Sequence, residues 1–196
     1  KEFCGDTHYP KHYHFTGPLF ASHPIETTFD WHAFHRYQRP KIYVSTGTLL
    51  EKFGETKKRF FTRITEALKD ENITVVAAAD LSLLDWWPEN FIVQPYVPQS
   101  ELMPQLDGII YHGGFNTVNQ ALWHGVPLII IPVAYDNFHI ASFVVNAGCG
   151  LRLSFKRVNT QAIQTALYDL LNNKRYREAA SKLGKIMREA GGAEKA

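Results

Sequence analysis

Residues 108–137 constrain the fold of this chain more than any other stretch. Gly108, Ile109, Ile110 and Tyr111 form an apolar run of the kind that makes a buried strand. It ends in His112-Gly113-Gly114. A helical pattern then opens at Phe115 or Asn116, runs to Trp123 and is stopped by His124-Gly125. A second apolar run, residues 128–131, follows Pro127 and is closed by Pro132. The order is strand, glycine turn, helix N-terminus, strand. Glycines let the backbone approach a ligand closely. The helix beyond them offers unpaired N–H groups and the positive end of its dipole, an arrangement that suits a phosphate. His112 adds a donor at the strand end, and Asn116 and Thr117 are placed to cap the helix or to meet the anion. Gln120, four residues after Asn116, shares its face, while Val118, Ala121 and Leu122 point toward a sheet.

The rest of the chain repeats this alternation. Residues 41–46 read as the first core strand, ending in the small-residue turn Ser45-Thr46-Gly47-Thr48. Residues 56–68 carry apolar side chains at the helical period. Strands follow at 73–79 and 91–94, then a brief helix at 100–106. After the central stretch come a helix at 138–147 stopped by Gly148, a sixth strand at 149–153, and two closing helices at 160–171 and 176–190. Asn159 is the expected N-cap of the first of these. The strands are continuous apolar runs rather than alternating ones, which marks a parallel sheet covered on both faces. Six such strands with right-handed crossovers predict an α/β, Rossmann-like, doubly wound domain. Ligands of such sheets sit beyond the carboxyl ends of the strands. The small or polar turns fall there, at 46–48, 95–99, 112–117 and 132–137.

Residues 1–38 lack this periodicity. They hold Pro10, Pro18 and Pro24 and six of the nine histidines. The spacing of His8, His12 and His14 matches no zinc pattern, and no cysteine or carboxylate cluster completes one, so no metal is expected. The segment reads as a surface linker, anchored by Tyr13, Phe15, Leu19 and Phe20, that ties residues 39–196 to a preceding domain. A net charge of +2 without a dense Lys/Arg run argues against a nucleic-acid partner. Cys4 and Cys149, far apart, argue against a disulfide framework and fit a reducing compartment. No run reaches the roughly 20 apolar residues of a membrane span, and no signal peptide is visible. The expectation is a cytoplasmic protein. GxGxxG is missing from the first turn and the GxxxxGK[ST] loop from the whole chain, which argues against a nicotinamide cofactor and a P-loop nucleotide site.

Residues 96–137 resemble the donor-binding signature of family 1 glycosyltransferases. That signature is an aromatic-x-Pro-Gln segment, then His-x-Gly-x-Asn-[Ser/Thr], an acidic or amide residue eight positions after the histidine, Gly-[Val/Ile]-Pro, and a late Asp-Gln pair. Here these read Tyr96-Val97-Pro98-Gln99, His112-Gly113-Gly114-Phe115-Asn116-Thr117, Gln120, Gly125-Val126-Pro127 and Asp136-Asn137. Residues 40–48 look like the family's first C-domain strand and its Ser-x-Gly-[Ser/Thr] turn. Residues 14–19 look like the Gly-Pro segment of its interdomain linker. The resemblance covers nearly the whole chain. It implies one half of a two-domain GT-B architecture: residues 39–196 as the C-terminal donor-binding domain, residues 1–38 as the linker, and an N-terminal acceptor domain outside this chain.

The resemblance also implies roles. Tyr96, where the family most often has Trp, would stack on the base, with Val97 and Gln99 at its edge. His112, Gly114, Asn116, Thr117 and Thr48 would hold the diphosphate. Gln120 would meet the ribose; many uridine-using members have Glu there, so UDP and TDP both remain open. Asp136 and Asn137 would hold the sugar hydroxyls, and Phe115 would wall the sugar pocket. Asn137 is one methylene shorter than the family's usual Gln, which leaves the hexose open. The implied reaction moves a hexose from a UDP- or TDP-sugar to a hydroxyl of a small lipophilic acceptor, without a metal or other cofactor. The family's base lies early in the N-terminal domain, so no residue of this chain is expected to be catalytic, and the chain alone should bind donor without transferring it. Two alternatives stand beside this reading: a stand-alone donor-binding subunit of a split transferase, and a nucleotide-sugar epimerase.

Overall fold

Tyr43 points to one face of the central sheet and its neighbours Ile42 and Val44 to the other, and each face has its own buried cluster. The strand period of two makes that division. The same split recurs in the fourth strand, where Ile109 and Tyr111 join one cluster and Ile110 the other, and in the fifth, where Leu128 and Ile130 oppose Ile129. The structure, a computed structural model, describes residues 8, 10–20, 28–36, 39–48 and 53–195.

The strands are β1 (Lys41–Ser45), β2 (Thr74–Ala78), β3 (Phe91–Gln94), β4 (Gly108–Tyr111), β5 (Leu128–Ile130) and β6 (Gly150–Arg152). They pair in parallel throughout, in the order β3-β2-β1-β4-β5-β6. All six expected strands form, several one or two residues shorter than the apolar runs that announce them. The helices are α1 (Trp31–His35), α2 (Gly54–Leu68), α3 (Gln99–Leu102), α4 (Phe115–Trp123), α5 (Asn137–Asn146), α6 (Thr160–Asn172), α7 (Lys174–Glu189) and the short α8 (Gly192–Lys195). Buried residues of α2 and α6, with Tyr176 at the start of α7, cover one face; those of α3, α4, α5 and the rest of α7 cover the other. Asn159 caps α6 as its sequence position predicts, its Oδ1 accepting from the Ala162 N–H at 2.9 Å.

Two expectations need correction. The single brief helix at 100–106 is instead α3 followed by a 3-10 turn, Met103–Gln105. Pro104 sits in the first positions of that turn, and its missing N–H cannot continue an α-helical ladder. The linker's anchors also differ. Tyr13, Phe15, Leu19 and Phe20 are exposed, whereas Phe29 and the fully buried Phe34 enter the core. Asp30 caps α1, accepting from Ala33 N–H at 2.8 Å, and Trp31 packs edge-on against Phe34. Residues 10–20 lie near the chain's end, where Gly192 N–H donates to the Thr16 carbonyl and Phe20 meets Trp123 edge-on.

Candidate functional site

The crossover from β1 leads to β2 on one side, and the crossover from β4 leads to β5 on the other. Between β1 and β4 the winding reverses, which opens a crevice at the carboxyl ends of these two strands. Ser45 and Tyr111 are partners in register there, so the turns that follow them, 46–48 and 112–114, face each other across the crevice.

The turn after β4 has little freedom. Gly113 has φ +108°, a conformation closed to ordinary side chains. A Cβ on it would lie 2.9 Å from Ile130 Cγ2 and 3.3 Å from the Asn137 carbonyl oxygen. Gly114 is the N-cap of α4 and makes no side-chain cap bond. Asn116 and Thr117 were expected either to cap or to meet an anion; capping is ruled out, because the helix already begins at Phe115. Its first N–H groups are therefore left to other partners. Phe115 and Asn116 are exposed, and Thr117 is buried.

His112 is 2% exposed. Its Cε1 lies 2.7 Å from where a Cβ on Gly47 would stand and 3.1 Å from one on Gly114, so the ring is seated between two glycines. Burial pushes the imidazole pKa down to about 4, with the Asp136 charge opposing. At pH 7 the ring is neutral and offers one N–H rather than a positive charge. Its Nδ1 is buried without a partner, as are Thr46 Oγ1 and Asn137 Oδ1. Two of these atoms stand on the loops after β1 and β4, and the third on the first residue of α5, which follows β5. Buried polar atoms are normally paired, so three orphans beyond adjacent strand ends mark a place where polar partners are missing.

A polar chain flanks the turn. Gln99 Nε2 donates to Gln120 Oε1 at 2.7 Å and to Thr117 Oγ1 at 3.2 Å. Gln120 Nε2 donates in turn to Ser100 Oγ at 3.0 Å. The loop after β3 is thereby fastened to the first turns of α4. Beneath it, burial pushes the Tyr111 phenol up, opposed by the neighbouring Thr117 hydroxyl. Tyr96 opens this loop with its ring 71% exposed; a core-packing role is excluded. Val97 is half-buried against the core. Thr48 is exposed, following Gly47, whose N–H donates to Ser45 Oγ. Asp136 and Asn137, expected to act as a pair, are separated by the start of α5. Asp136 is its exposed N-cap residue, and Asn137 is its buried first residue.

The twelve residues singled out from sequence thus fall on four strand-to-helix connections and the helix starts that follow them, at one end of the sheet. Thr46, Ser100 and Tyr111 belong to the same constellation and were missed. Thr46 and Ser100 lie beside recognised residues and could have been included. Tyr111 was hidden by its place in an apolar strand. Among the described residues no group of three or more His, Cys, Asp or Glu is placed to hold a metal. No helix among them is long and apolar enough to cross a membrane.

A six-stranded parallel sheet with an uncapped helix N-terminus at its switch point is the frame of a Rossmann-like nucleotide-binding domain. A family model described as "Erythromycin biosynthesis protein CIII-like, C-terminal domain" matches residues 62–190, and the chain belongs to this family, the C-terminal domains of family 1, GT-B glycosyltransferases. Among its relatives, "Uncharacterized UDP-glucosyltransferase YdhE" of Bacillus subtilis is 34% identical over 89% of the chain and 44% of the relative. The 4'-demethylrebeccamycin synthase of Lentzea aerocolonigenes is 30% identical over 89% of the chain and 41% of the relative. The glycotransferase of kitacinnamycin shares the fold with a TM-score of 0.76 at 24% identity, over 92% of this chain and 46% of that one. The chain thus spans less than half the length of the relatives it matches.

Proposed function

We propose that this chain is the donor-binding half of an enzyme that moves a hexose from a UDP- or TDP-sugar to a hydroxyl of a small lipophilic acceptor. The observation that carries the reading is the turn at residues 112–114. An uncapped helix N-terminus and a buried neutral histidine converge there with orphaned polar atoms on either side. A diphosphate would supply the missing acceptors for N–H groups at this turn. The leaving charge would be met by the His112 N–H and the first amides of α4, in a site already organised before substrate arrives. Those groups need no metal to do this.

Tyr96 presents a free ring face at one end of the crevice, fit for stacking a base. Gln99 and Gln120 stand next to it at the ribose position. Asp136 and Phe115, both exposed, border the far end, where the sugar would lie. The structure of the glycosyltransferase VinC is a complex with DTDP, and relatives carry the name UDP-glucosyltransferase. Both bases are therefore retained. An inverting transfer needs a base for the acceptor hydroxyl. His124 and His139 are exposed, at the end of α4 and in the first turn of α5; following the family resemblance, we assign that base to the part of the enzyme outside this chain.

Calorimetry on the 196-residue chain with UDP and with TDP tests the reading. Saturable binding of at least one is expected, with no sugar released from the corresponding donor. Binding of neither at millimolar concentration would refute the site.

A further inference from the structure

We propose that the first half of α2, together with the loop after β6, forms a second anion site, built for a phosphate group. Arg59 and Arg63 stand one turn apart on α2, and both guanidinium groups lie over the ring of Phe155, 4.8 and 5.4 Å from its centroid. Arg63 Nη1 also donates to the Phe155 carbonyl. Like charges at this spacing repel. Neither arginine has a carboxylate within 4.0 Å among the described residues. Desolvation, and after it the Arg59 charge, holds the Arg63 pKa below its ordinary value.

Both elements carry further cations next to these residues in sequence. Lys58 is exposed beside Arg59, and Lys156 and Arg157 are exposed immediately after Phe155. The loop that carries them is fixed by Arg157 N–H and Val158 N–H, which both donate to the Ser154 carbonyl at 3.0 and 2.8 Å. Lys58 and Arg59 line one shallow surface hollow with Thr56, Thr62 and a single acid, Glu55. The whole chain carries a net charge of only +2, so this is a local concentration of charge and not a general excess.

A purely structural reading treats these contacts as a clasp between α2 and the loop. It explains the stacking of both arginines on Phe155 and the Arg63 bond to a backbone carbonyl, but it does not call for Lys58, Lys156 and Arg157. A phosphate group explains them. A guanidinium fork offers parallel donors that match phosphate oxygens, and lysines add point charge. The phenyl face holds Arg59 in place beforehand, which lowers the ordering cost of binding. The two sites share no residue, and α2 packs on the face of the sheet opposite to α4. Its phosphate belongs either to a free phosphorylated solute or to the headgroup of an anionic lipid.

The test uses the 196-residue chain with two probes. Inorganic phosphate is titrated by NMR while the Arg59 side-chain Nε–H and the amides of residues 54–63 and 154–158 are followed. Vesicles of equimolar phosphatidylcholine and phosphatidylglycerol are sedimented with the protein, against vesicles of phosphatidylcholine alone. Saturable shifts with phosphate identify a solute site; binding confined to the anionic vesicles identifies a lipid site. In either case the double variant Lys58→Gln/Arg157→Gln should bind roughly tenfold or more weakly with its thermal midpoint unchanged. Arg59→Gln should weaken binding in the same direction. No response to either probe, or equal binding by the double variant, would overturn the proposal. Neither result depends on whether UDP binds at the glycine turn.

Discussion

Lowering the pH from 7 to 4 charges His112 in the unfolded chain well before it charges the folded one. Both forms are neutral above the ordinary value of 6.5, so the residue adds no pH dependence there. Below 6.5 the unfolded state takes up the proton while burial keeps the folded ring neutral down to about 4. Stability must then fall with pH, because the unfolded state binds more protons. The cost grows to about 2 kcal/mol at pH 5 and levels off at about 3.5 kcal/mol well below pH 4, from a gap of roughly 2.5 units at about 1.4 kcal/mol each. Urea unfolding of the 196-residue chain at a series of pH values measures it, with His112→Gln as the reference that titrates every other group alike. The wild-type free energy should drop below the variant's trend by about 2 kcal/mol between pH 7 and pH 5. Parallel curves would show that His112 titrates equally in both states, and the buried neutral imidazole would be refuted.

Two further substitutions test the frame of the site. Gly113→Ala should cost about 3 kcal/mol, combining an unfavourable positive φ with a Cβ forced against Ile130 and Asn137. Gly148→Ala, also at positive φ but with only the Ala179 Cβ nearby at 3.7 Å, should cost about 1 kcal/mol. Equal losses in urea unfolding would remove the argument from close packing. Phe34→Ala should destabilise by roughly 3–5 kcal/mol, because a fully buried ring leaves a cavity. Leu19→Ala, at 61% exposure, should stay within about 0.5 kcal/mol. The reverse order in thermal melts would place the N-terminal anchor back where the sequence suggested.

The sheet was legible because its strands are continuous apolar runs bounded by glycine, proline and polar turns, and a parallel sheet buried on both faces demands that pattern. The candidate site was legible for a related reason. Its residues cluster at the strand ends, where such a sheet must place its ligand. What escaped was set by tertiary contact. Phe29 and Phe34 lie in a histidine-rich stretch without period, and only the sheet face they meet makes them core. The N-cap of α4 falls on Gly114 rather than on a side-chain capping residue, because the turn is fitted around His112 and Tyr111 and not around a local hydrogen bond. Asn137 reads from sequence as a twin of Asp136, but its burial follows from packing against Gly113.

The polar chain bears on how this site could discriminate between donors. Gln120 is joined on both sides, accepting from Gln99 Nε2 and donating to Ser100 Oγ. A glutamate at the same position would keep the first bond with its own oxygen. It would keep the second if the Ser100 hydroxyl rotated to donate instead of accept, which costs little because hydroxyls turn freely. The fold therefore tolerates either residue equally, and nothing in the packing of α3 on α4 requires the neutral amide. Thr117 is different. It accepts from Gln99, adjoins the Tyr111 hydroxyl and is buried in the first turn of α4, so it fixes where the helix N-terminus points. Position 117 is thus held by the architecture, whereas the hydrogen bonds at position 120 can be kept by either residue.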